Sequence, residues 1–64
     1  MTVYVTVQSC QGLIHEARAH LTEQGAAKAE RRWLRKRGIH TPDDREAQAR
    51  NGNEIRIFEA KLAP

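Results

Sequence analysis

Large apolar side chains are scarce in this sequence, and their number limits what it can fold into. Across 64 residues there are fourteen, with Met1 as a possible extra: Val3, Tyr4, Val5, Val7, Leu13, Ile14, Leu21, Trp33, Leu34, Ile39, Ile55, Ile57, Phe58 and Leu62. Full burial of each contributes roughly 1.5–3 kcal/mol, about a few tens of kcal/mol in all. Ordering the backbone costs about 1–2 kcal/mol per residue. One small domain is therefore the ceiling. Domains of this size usually lean on a disulfide, a metal or a second chain. The single cysteine, Cys10, excludes an internal disulfide and a zinc site built of cysteines. Self-association remains, and a homodimer is the expected state.

No apolar run approaches the ~20 residues of a membrane span, so no membrane partner is expected. The opening Met1-Thr2-Val3-Tyr4 lacks the basic start and continuous apolar stretch of a signal peptide. With its lone cysteine, the chain is expected in the reducing cytoplasm. At 39% hydrophobic residues it is too apolar for a fully disordered chain.

Residues 2–8 read as a strand, because Val3, Val5 and Val7 alternate with polar neighbours and are β-branched. The Val face is expected to point into the core. Ser9-Cys10-Gln11-Gly12 is a turn candidate, with Gly12 supplying positive φ. Residues 13–21 fit two templates. Leu13, Ala17 and Leu21 have helical spacing, yet Leu13, His15, Ala17, Ala19 and Leu21 also alternate with Glu16, Arg18 and His20. A hairpin gives the first strand a partner at low loop cost, and Thr22 offers a helix start afterwards; both favour the strand.

Residues 22–37 read as a long helix. Thr22 can cap its first turn, Glu23 lies at the positive end of its dipole, and Gly38 suits the left-handed position beyond its end. Its apolar stripe is Ala26, Ala27 or Ala29, Trp33 and Leu34, with Trp33 as the anchor. Thr41-Pro42-Asp43-Asp44 marks a second, solvated helix, Pro42–Arg50, stopped by Asn51-Gly52. Residues 53–62 form the last strand, expected to pair with the first. Ile55 and Ile57 share one face, Phe58, Ala60 and Leu62 the other. That phase switch calls for a bulge or for cover on both faces. The expected fold is α+β: a three-stranded antiparallel sheet packed on one long helix, in the order β-β-α-(short α)-β. A partner sheet would cover Tyr4, Ile14 and Phe58.

Val-Tyr-Val-Thr-Val, then Ala-Glu-Arg-Arg-Trp-Leu with Gly38-Ile39, then Glu-Ile-Arg-Ile-Phe-Glu together span nearly the whole chain. In this pattern the sequence resembles a group of small uncharacterised prokaryotic proteins. The resemblance implies the hairpin, the helix and the closing strand. It implies no activity and no site residues.

The chemistry-bearing residues point away from catalysis. Cys10, His15, His20 and His40 are the soft ligands, and no pair has the spacing of a helical zinc site, so no metal and no cofactor is expected. Cys10 with His15 as base lacks a third group and an oxyanion hole. Asp43 and Asp44 suit capping. Gly12, Gly25, Gly38 and Gly52 are scattered rather than gathered into a phosphate loop. The expected function is a non-enzymatic interaction module, homodimeric through a sheet face or edge, with Tyr4, Ile14, Phe58 and Leu62 at the interface. The sheet could also take a different protein as partner. The alternative is a small nucleic-acid-binding protein. Lys28, Arg31, Arg32 and Arg35 follow i, i+3, i+4, i+7 and form one stripe, with Lys36 beside it. Such a stripe is also an ordinary solvated helix face.

Overall fold

The computed structural model describes residues 1–63. The chain has an α+β fold: β1 (Thr2–Cys10), β2 (Leu13–His20), α1 (Glu23–Lys36), α2 (Pro42–Arg50) and β3 (Glu54–Lys61). The strands form one antiparallel sheet in the order β2-β1-β3. β1 is central, and β3 pairs with it, as expected.

The hairpin between β1 and β2 turns on two residues. Gln11 and Gly12 both take positive φ, 53° and 81°, the geometry that matches strand twist in two-residue hairpins. Ser9 and Cys10 are not part of the turn; they continue β1 opposite Ile14 and Leu13.

Each helix is bounded by the residues its sequence nominates. Thr22 Oγ1 accepts from the Gly25 amide at 3.0 Å, and Thr41 Oγ1 accepts from the Asp44 amide at 3.1 Å. At the end of α1 the Gly38 amide donates to Arg35 O (3.1 Å) and the Ile39 amide to Leu34 O (2.9 Å). This double closure satisfies carbonyls the helix would leave open, and it turns Ile39 back onto Trp33. The end of α2 repeats it, with Gly52 donating to Ala49 O and Asn53 to Gln48 O, each at 2.9 Å.

The sheet face under α1 is not the one the valines suggest. The register sets Thr6 opposite Arg18 and Ile57, and Gln8 opposite Glu16 and Ile55. Ile55 is fully buried against Trp33 and Ile39, and Thr6 is 2% exposed. Tyr4, Thr6 and Gln8 therefore face α1, and Val3, Val5 and Val7 face away from it. Ile55 and Ile57 decide this, because they hold the helix to their own side of β3. Thr6 tolerates burial because its hydroxyl donates to Arg18 O (3.4 Å) and hydrogen-bonds His20 Nε2 (3.1 Å). Val3 is also buried, but among its neighbours on the open side, beside Ala60.

Of the two explanations for the Ile57/Phe58 switch, the bulge is excluded at that point. β1 and β3 stay in register from Thr2↔Lys61 to Ser9↔Glu54. The bulge lies in β2 instead, where the pairing steps from Gln8↔Glu16 to Ser9↔Ile14 and passes over His15. This extra residue carries Ile14 to the face of Val7, away from Glu16, whose side strict alternation would give it.

α2 buries no residue and lies against β3. Arg45 fastens it: one guanidinium nitrogen donates to Glu30 Oε2 (3.2 Å) and to Ile55 O (3.1 Å). The hairpin tip is clasped to the α2–β3 corner. The Gly12 amide donates to Gly52 O and the Gln11 amide to Asn53 Oδ1, both at 3.1 Å.

Candidate functional site

Two surfaces on opposite sides of the sheet stand out. The first is the open face. Along the central strand it carries Val3, Val5, Val7 and Ser9, along β2 Ile14, Ala17 and Ala19, and along β3 Arg56, Phe58 and Ala60. Phe58 sits directly opposite Val5 and is 50% exposed; Ile14 is 74% exposed. Leu62, just past β3, is exposed at its margin, where its amide donates to Met1 O at 2.8 Å. Among the described residues the face bears one ion pair, Arg56 Nε to Glu54 Oε1 at 3.2 Å, at its hairpin end.

Three of the four expected interface residues gather here: Ile14, Phe58 and Leu62. Tyr4 does not. Its pairing with His20 and Glu59 puts it on the side of α1, half-buried. Val5 and Val7 take its place on the open face. Period-two alternation identifies the two faces of a strand but not which one a helix will cover.

The second surface is cationic. Lys28, Arg31, Arg32 and Arg35 line one shallow groove of about 210 Å³ along the outer side of α1. Arg32 also lines a second, open cleft of about 260 Å³ between α1 and the sheet, together with Lys36 and, from β2, Arg18 and its ion-pair partner Glu16. The helix stripe thus continues onto the sheet. Arg18 was not among the sequence candidates; the signal was its alternation with Glu16 and His20, which counts only once α1 is known to cover that side. Acids are few around this belt. Glu30, the one acid within the basic run, is turned toward α2 by Arg45. Glu16 pairs with Arg18 at 2.9 Å. Among the described residues no ion pair engages the five helix cations. Arg37 is drawn off the belt, its guanidinium 5.3 Å from the Trp33 ring centre.

The remaining candidates stay apart. Cys10 is half-buried at the end of β1 opposite Leu13, and His15 is exposed at the bulge. His20 is engaged with Thr6, and His40 is exposed ahead of α2. Among the described residues no three His, Cys, Asp or Glu side chains gather as metal ligands, and no helix is long and apolar enough to cross a membrane. Comparison with protein-family models, with curated proteins and with solved structures gives no match for the chain.

Proposed function

We propose that this chain is a non-enzymatic interaction module that acts as a homodimer, two copies stacking through the open sheet face. The observation that carries this reading is the distribution of the large apolar residues. Of the fourteen, Val3, Trp33, Ile39 and Ile55 are buried, while Leu13, Ile14, Leu21, Phe58 and Leu62 are exposed. A chain with so few cannot lose that many to solvent without forgoing much of its stabilisation. Ile14, Phe58 and Leu62 fall on or beside one face with three valines. Stacked sheets pack about 10 Å apart with their side chains interdigitating, and two-fold pairing would bring this face against itself.

The test is sedimentation equilibrium on the parent and on Phe58→Asp. The parent should be a dimer at micromolar concentration, with a melting temperature that rises with protein concentration. Phe58→Asp should be monomeric, because a carboxylate would be buried without a partner at the centre of the interface. A monomeric parent at high concentration overturns the reading. Association through the free edge of β2 would survive the substitution and overturn the face-to-face arrangement.

A further inference from the structure

We propose that the cationic belt formed by α1 and β2 binds the phosphate backbone of duplex nucleic acid. The belt consists of Lys28, Arg31, Arg32, Arg35 and Lys36 on α1 and Arg18 on β2, with Arg32 common to its two grooves. It is independent of the sheet face through which the chain is proposed to pair, because it lies on the other side of the sheet.

Four properties select this partner. Continuity comes first: the cations run from the outer side of α1 across the cleft onto a second element, so the belt follows a surface rather than a point. Availability is the second. The helix cations carry no ion-pair partner among the described residues, and Arg45 holds Glu30 on the opposite side of α1. Rigidity is the third. α1 is capped at both ends and anchored by Trp33, so charges spread over about 12 Å of helix axis are held at fixed spacing. Duplex DNA carries one negative charge per about 1.7 Å of axis, which provides more phosphates over that length than the belt has cations.

The fourth property excludes other polyanions. Among the described residues Trp33 is the one aromatic that lines either groove; it sits in the cleft between α1 and the sheet and is only 6% exposed. Stacking of unpaired bases therefore has no platform. Among the described residues none of the exposed large apolar side chains lines the grooves either. A membrane surface would want such residues beside the basic ones. Backbone contacts of this kind fix affinity and orientation without reading sequence.

The experiment is fluorescence anisotropy of a labelled mixed-sequence DNA duplex, titrated with the protein at low and near-physiological salt. Unlabelled single strand and phosphatidylserine vesicles serve as competitors. Four to five phosphate contacts give a log–log salt slope of about −4, or about a 250-fold loss between 50 and 200 mM salt. Arg32→Glu/Arg35→Glu should weaken low-salt binding by about a hundredfold or more while leaving the circular dichroism spectrum and melt intact. Arg18→Ala should reduce the slope by about one, as expected for one lost phosphate contact on β2. Arg50→Glu, on α2 outside the belt, should leave affinity unchanged. No binding at low salt, or a double variant that is folded and binds like the parent, overturns the proposal. So does single strand or vesicle competing better than unlabelled duplex. An unchanged slope for Arg18→Ala overturns the extension of the belt onto β2.

Discussion

Gly52 joins two corners of the molecule by having no side chain. Its φ is +82°, and a Cβ there would be driven into the backbone of Gln11 and Gly12 at the hairpin tip. The absence of that carbon lets Gly52 O accept from the Gly12 amide, while Asn53 Oδ1 accepts from Gln11 and Asn53 Nδ2 donates to Gln48 Oε1. Gly38 has a similar φ, +70°, but open space around it. The two glycines therefore separate strain from collision. Gly38→Ala should cost about 1–2 kcal/mol, the left-handed conformation alone. Gly52→Ala should cost about 3 kcal/mol or more, since the backbone it meets cannot rotate away. Urea denaturation of the two variants checks this, and equal losses would mean that the clasp adds nothing. The sequence shows both glycines as element boundaries. It cannot show that one of them touches a turn forty residues earlier, because that proximity exists only after the sheet has formed.

Helix ends were legible in the sequence and strand faces were not, and the cause is physical. A cap is a local event: Thr22 and Thr41 bond amides three residues on, so spacing alone reveals them. Which face of β1 is covered depends on where Ile55 and Ile57 hold α1, some fifty residues away in the chain. The bulge at His15 has no local signature either, yet it decides the side on which Ile14 emerges. The basic stripe was legible because helical spacing is local; its extension to Arg18 was not, because that is a contact between elements. α2 presents the opposite case, an element found by its caps alone that buries nothing. With so little packing, Arg45 is its principal tie. In Arg45→Ala, amide exchange over Pro42–Arg50 should quicken by about tenfold or more, with β1 and β3 little changed. Hydrogen exchange resolved along the chain reads this directly; a uniform change over all elements would show that α2 is not separately held.

At the scale of the whole molecule, the α+β order β-β-α-α-β was legible in strand alternation and helix caps, while the shortage of large apolar residues is what the proposed pairing of two copies answers. The side of the sheet that α1 leaves open was visible only once the register was known. Belt and open face lie on opposite sides of the sheet, so occupying one leaves the other free. A stacked pair would then carry its two belts outward, pointing in opposite directions and roughly 30 Å apart if each intervening layer is about 10 Å thick. Such an assembly cannot wrap one duplex with both belts. It would act as a crosslinker, drawing two separate duplexes together. A bead-bound duplex should therefore retain a second, free duplex when the parent protein is added. Phe58→Asp should bind the first and fail to retain the second, since removing the interface halves the valence without touching a single cation. Retention of the second duplex by a monomeric Phe58→Asp would show that the bridging has another origin.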